Sequence, residues 1–230
     1  ERPRRACMEW LRRAAIPYNI DSFEQRDRYG CHICIPIDSL IRVVGWSMEY
    51  FPEEVLIGFD PTTTRNPDIV EETFGPPRSV FSGAGYILGE PHLLNVGDEF
   101  SVEHISEDWL DGALSANRGS RGSRFSTYLH SHPNAFAGPS QSDASASDFT
   151  EGVEMILGVE VENPPLGLEW YEQEGTHRRR LGEERPEGEI LARLAGRRIL
   201  GMELIGFIRG GLAANILITD EDGFPLGLDL

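Results

Sequence analysis

Residues 130–143 read H-S-H-P-N-A-F-A-G-P-S-Q-S-D. They follow a short apolar and β-branched stretch, 125–129, whose composition predicts a strand. Side chains alternate between faces along a strand, so His130 and His132 share one face and Ser131 takes the other. Two imidazoles converging in this way make half of a tetrahedral zinc site. Pro133 ends the strand, Gly138-Pro139 turns the chain, and Asp143 falls where the next helix starts. Its carboxylate can swing back to complete a His130, His132, Asp143 set. Three protein ligands leave a fourth position for water, which is the catalytic pattern, whereas four make a structural site.

The spacing resembles the JAMM motif of the MPN metalloproteases: H-[ST]-H-P, six residues, then S-x-x-D. His130, Ser131, His132 and Pro133 match, with Ser140 and Asp143 in register. The family also has an upstream Glu in a P-x-E-x-x-G pattern after a strand and a helix. Pro52-Glu53-Glu54 supplies it, with Glu54 two places after Pro52; the later Gly is replaced by Ile57, and Gly58 stands one place on. The resemblance covers about residues 31–220. It implies one catalytic Zn²⁺ held by His130, His132 and Asp143, whose bound water is brought towards ionisation near neutral pH. Glu54 would be the general base and Ser140 a hydrogen-bond donor to the oxyanion. The implied reaction is amide hydrolysis without a covalent intermediate, at the C-terminal tail of a ubiquitin-like protein, either in deconjugation or in precursor processing. The implied partners are that protein and the E1-like and E2-like enzymes of its pathway. Alternatives are a processing peptidase for a sulfur-carrier protein, a metal-free MPN scaffold, which the intact ligands and Glu54 argue against, and a RadC-like protein. The gapped Glu motif and the absence of Lys point to a prokaryotic, deubiquitinase-like member. The implied fold is α/β: a mixed, curled sheet flanked by helices, cytidine-deaminase-like, with zinc at one edge.

Other residues compete for these roles. Asp148 lies outside the S-x-x-D spacing, as does Ser142 for the serine. His32, His92, His104 and His177 lack nearby ligand partners in sequence and read as structural or surface residues. Cys31 and Cys34 form a lone C-x-x-C on a predicted strand, which favours two small core residues over a metal or redox site.

The elements that must position the motif follow from periodicity. A strand is expected over 31–37, then a helix over 38–50 capped by Asp38 or Ser39, with Leu40, Ile41, Val44 and Met48 on its buried face. A strand over 55–59 follows Pro52. Residues 60–78 read as loop. Strands over 80–89 and 99–105 flank a turn at 95–98, and Ser106 caps a helix to 116. Arg118 to Arg124 is a basic, flexible stretch. After the motif, 144–157 has helical spacing, 166–171 reads as strand, 189–198 as helix and 202–208 as strand. Residues 212–219 and 224–228 read as a hairpin around Asp222-Gly223. The loops at 60–78 and 160–186 are expected to carry recognition. Residues 1–30 read as an Arg-rich helix and linker, an N-terminal extension to a catalytic domain spanning 31–230.

The chain has 230 residues with 21 basic and 38 acidic side chains, a net charge of −17, and every basic residue is Arg. Such acidity disfavours nucleic acid and anionic membrane as partners, since both require a positive field. Three cysteines cannot all pair within one chain, so a reducing, cytoplasmic setting is expected. No run of 18 apolar residues suggests a membrane span, and residues 1–13 lack the apolar region of a secretory signal.

Overall fold

The computed structural model describes residues 2–61, 86–103, 125, 127–141, 143–144, 153–170, 179–181, 192–194, 196–208 and 211–228. The elements in chain order are α1 (Arg2–Glu24), β1 (His32–Pro36), α2 (Ile37–Glu49), β2 (Val55–Pro61), β3 (Tyr86–Val96), β4 (Thr127–Pro133), β5 (Val153–Val161), β6 (Arg179–Leu181), β7 (Ala192–Leu194), β8 (Arg197–Ile208) and β9 (Leu212–Thr219). Neighbouring strands run β5-β4-β2-β3-β1-β9-β8, and β8 pairs β5 again, so seven strands close into a mixed barrel. The short strands β6 and β7 add to β8.

This overturns the expected α/β fold. Among the described residues there are two α-helices and a closed sheet, not a curled open sheet with helices along its faces. The closing strand explains the misreading. β5, V-E-M-I-L-G-V-E-V, is buried along nearly its whole length, with apolar side chains at every odd-numbered position and Ile156 as the one apolar side chain on the other face. Val153, Met155, Leu157 and Val159 enter the main core, while Ile156 on the other face packs with Ala137, Ile205 and Phe207. Ile156 interrupts the period-2 alternation of this run, and the spacing of Val153 and Ile156 mimics a helix. Residues 153–157 of the expected helix are therefore strand, and 145–152 lie outside the described residues. The expected helix at 189–198 is replaced by β7 and the start of β8. Residues 99–103 and 166–170 are irregular instead of strand, and the terminal hairpin reduces to one bridge between Thr219 and Pro225. Residues 106–116 and 118–124, together with His104, Ser142, Asp148 and His177, lie outside the described residues.

The helices complete the core. In α1, Trp10, Leu11 and Tyr18 are buried in the same cluster as Ile33, Ile57, Leu129 and Ile216. Polar residues fix the helix in place. Asn19 Nδ2 donates to the carbonyls of Ile218 (2.7 Å) and Leu226 (2.8 Å), its Oδ1 accepts the Ile218 N–H, and Ser22 Oγ donates to the Ile216 carbonyl. α2 begins one residue earlier than expected, with Pro36 as its N-cap and no side-chain cap. Asp38 instead sits in the first turn, where it suits the helix dipole and pairs with Arg12 at 3.2 Å. No helix among the described residues is long and apolar enough to cross a membrane.

Candidate metal centre

On β4, Leu129 faces the core while His130 and His132 face outward onto a cavity. Their Nε2 atoms are 3.1 Å apart. Asp143 brings Oδ1 to 3.4 Å from His130 Nε2 and Oδ2 to 3.9 Å from His132 Nε2. Zinc bonds of about 2.0–2.1 Å at tetrahedral angles place ligand atoms roughly 3.3–3.4 Å apart; the His130–His132 and His130–Asp143 separations lie near that value, while His132 is nearest to the other carboxylate oxygen. The donor chemistry fits as well. His132 Nδ1 lies 3.0 Å from the Phe136 carbonyl oxygen, which can only accept. Nδ1 therefore carries the ring proton, and Nε2 presents a lone pair. Two imidazole lone pairs and a carboxylate facing one point require a cation, or a proton on His130, between them. The titration directions express this competition. Burial opposes charge on His130, but the hydrogen bond and charge of Asp143, with Glu54 and Glu154, more than offset it and raise its pKa. Burial and the neighbouring His130 charge lower His132 to about 4. Burial pushes Asp143 up, yet His130 and Ser140 outweigh it and hold the carboxyl well below the usual range.

The S-x-x-D spacing has a local structural meaning. Ser140 N–H donates to Asp143 Oδ2 at 2.7 Å, and Asp143 N–H donates to Ser140 Oγ at 3.2 Å. This reciprocal capping pair aims the Asp143 carboxylate back along the chain towards the histidines. The Ser140 hydroxyl proton is not needed for that contact.

Glu54 precedes β2. Its N–H donates to the Asp98 carbonyl (2.7 Å) and its carbonyl accepts the Gly97 N–H (2.9 Å). Ser131, pointing away from the histidines, accepts the Val55 N–H at 3.0 Å. The chain on both sides of Glu54 is thus held, and its side chain is 7% exposed. Glu53 is exposed. Burial, with the charges of Asp143 and Asp98 and against that of His130, raises the Glu54 carboxyl to about 7.

All five predicted residues, Glu54, His130, His132, Ser140 and Asp143, line one cavity of about 870 Å³. One wall is the turn at 98–102, where Asp98 Oδ1 accepts the N–H groups of Phe100 and Ser101. Phe100, 70% exposed, stands on that wall. Residues 167–169 form another wall. Asn134, at φ +52°, fixes the bend after Pro133: its Oδ1 accepts the Val161 N–H at 2.8 Å and its Nδ2 donates to the Leu168 carbonyl. Sequence reasoning missed Asn134 and the 98–102 turn. Their signals were an Asn directly after H-x-H-P, and Gly97-Asp98 with a Ser three places beyond the Asp.

His92 does have a partner, contrary to expectation: its Nε2 meets Asp60 Oδ2 at 2.9 Å. With Glu90 these residues form a second group of possible ligand atoms, but Arg42 holds Glu90 at 2.9 Å. No family model matches the chain, and no curated protein sequence matches it.

Proposed function

We propose that the chain is a zinc-dependent peptidase or isopeptidase whose substrate is the C-terminal tail of a ubiquitin-like protein. The observation that carries the reading is the convergence of His130 Nε2, His132 Nε2 and an Asp143 carboxylate oxygen in a cavity that also holds the buried Glu54. A zinc ion held there would supply Lewis acidity and a water poised to ionise near neutral pH. Glu54, with its carboxyl at about 7, is suited to take a proton and return it to a leaving amine. Ser140, which lines the same cavity, is placed as a hydrogen-bond donor to the developing oxyanion. Phe100 on one wall and residues 167–169 on another leave room for an extended tail between them. The substrate class comes from the motif resemblance, and the reading does not rest on the overall fold. The free, buried thiols of Cys31 and Cys34 suit a cytoplasmic setting.

The test is metal analysis together with hydrolysis of two substrates, a ubiquitin-like protein joined through its C-terminal glycine to an amine and a sulfur-carrier precursor. One equivalent of zinc and chelator-sensitive release are expected. Preference for the second substrate would move the reading to sulfur-carrier processing. A folded wild-type chain that takes up no zinc would sink it.

A further inference from the structure

Three neighbouring strands contribute to one rung beside the proposed metal centre, and the rung continues to Arg180 of β6, in register with Glu203. His132 of β4 is in register with Gly158 of β5, and Gly158 with Glu203 of β8. A side chain at 158 would separate His132 from Glu203, but glycine leaves a gap. The segment after Pro133 folds into it. A Cβ on Gly158 would lie 2.4 Å from the Ala135 oxygen and 2.9 Å from the Ala137 nitrogen. The group placed there is the Phe136–Ala137 peptide, and both of its polar atoms are used. Its carbonyl oxygen takes the His132 Nδ1–H at 3.0 Å and also the Gly138 N–H at 2.9 Å. Its N–H donates to Glu203 Oε2 at 3.1 Å. Glu203 is 8% exposed, a lone acid in the strand run M-E-L-I-G-F-I.

We infer that Glu203 is a positioning residue for His132, acting through the Phe136–Ala137 peptide as a relay: carboxylate, peptide, imidazole. A carboxylate accepting a peptide N–H polarises that peptide and makes its carbonyl oxygen a stronger acceptor. The stronger acceptor holds the imidazole proton on Nδ1 and leaves Nε2 as the lone pair facing Asp143 and His130. Ligand histidines commonly give their second N–H to a carboxylate or a carbonyl; here the carbonyl is itself backed by a carboxylate one rung away. Gly158 is the residue that lets the two ends meet. The zinc part of this inference rests on the proposed function, whereas the tautomer part does not.

The experiment uses the full chain with ¹⁵N-labelled histidine. Imidazole ¹H–¹⁵N correlation spectra of the metal-free protein report the His132 tautomer, and competition with a chromophoric chelator reports the zinc Kd. Wild type should show His132 protonated at Nδ1 alone. In Glu203→Ala a mixture of tautomers should appear, and zinc binding should weaken by about 10- to 100-fold, the usual effect of losing an outer partner of a ligand histidine. Glu203→Gln retains an oxygen for the Ala137 N–H without the charge and should fall between. Gly158→Ala leaves Glu203 in place but displaces the bridging peptide, so it should reproduce the Glu203→Ala spectrum; it serves as the independent variant if Glu203→Ala folds poorly. A single Nδ1–H tautomer and an unchanged zinc Kd in folded Glu203→Ala or Gly158→Ala would overturn the relay while leaving the metal reading intact. A wild-type chain that binds no zinc but loses its single tautomer in these variants would support the relay and overturn the metal reading alone.

Discussion

Strand β1 with the residue before it, and strand β4, each carry a short run of metal-capable residues, C-H-I-C and H-S-H, and one position of spacing separates their fates. His130 and His132 are two apart, so the strand puts both on the outer face, with Nε2 atoms 3.1 Å from each other. Cys31 and Cys34 are three apart, so they point to opposite sides. Cys31 joins the main core, whereas Cys34 packs with Leu217 in a small separate cluster. Both thiols are buried, and burial pushes each up to about 12. Neither has the thiolate character that metal binding or nucleophilic attack needs. Residue type alone would rank the two runs alike. The period of the strand decides which set converges and which becomes packing.

The comparison breaks first at β4. His132→Ala removes one of the three converging side chains proposed to hold zinc, so on that proposal zinc content should drop from about one equivalent to background, with hydrolysis lost. Metal analysis of dialysed protein beside a kinetic assay reads both. Retention of a full equivalent would mean that the convergence on β4 is not what holds the metal.

Next in size is the proposed base, Glu54. Glu54→Gln keeps shape but cannot accept a proton, so kcat/KM should fall about 100-fold or more with zinc retained. Glu53→Gln, on an exposed side chain, should stay near wild type. A dead Glu53→Gln beside an active Glu54→Gln would reverse the assignment that burial and cavity lining support.

Legibility followed the same rule of local period. The H-x-H pair could be read because both residues lie on one strand, and Asp143 because its capping partner Ser140 is three residues away. Pro52 distinguished Glu54 from Glu53 by spacing alone. The barrel was not legible, because closure depends on β5 meeting β4 on one side and β8 on the other, pairings about 25 and 50 residues distant in sequence. The side chains of β5 do alternate, but Ile156 on the outer face stands at helical spacing from Val153 and masked the strand. The Glu203 contact was hidden by distance in sequence as well. Nothing near residue 203 in sequence indicates that the Ala137 N–H will reach it.

At β1 the comparison can be sharpened. Cys31→Ser/Cys34→Ser places two hydroxyls in apolar surroundings, which should destabilise the fold by about 2–4 kcal/mol. Zinc content and kcat/KM should stay within about twofold of wild type. Native alkylation followed by mass spectrometry should leave both thiols unmodified. Loss of zinc in the folded double variant would make these cysteines ligands after all.

The smallest effect concerns His32, which lies between the two cysteines and is buried. Burial lowers its pKa to about 4, against an ordinary value of 6.5. The folded chain therefore resists protonating His32, while the unfolded chain accepts the proton as soon as pH drops below about 6.5. The unfolded state binds more protons across this window, so stability must rise with pH there. Read in the other direction, stability is lost as pH falls from about 6.5 towards 4, and the loss levels off once the folded form also protonates. Between pH 7 and pH 5 this single group should lower stability by on the order of 1–2 kcal/mol, a few degrees in Tm for a chain of this size. His32→Gln cannot titrate, so its Tm should change less than that of wild type over the same interval. His130 and Asp143 titrate in both proteins and cancel in the difference. Scanning calorimetry of the metal-free pair at pH 7 and pH 5 measures it. Equal shifts would show that His32 protonates as readily in the fold as in the unfolded chain, and that the middle of β1 is open to water.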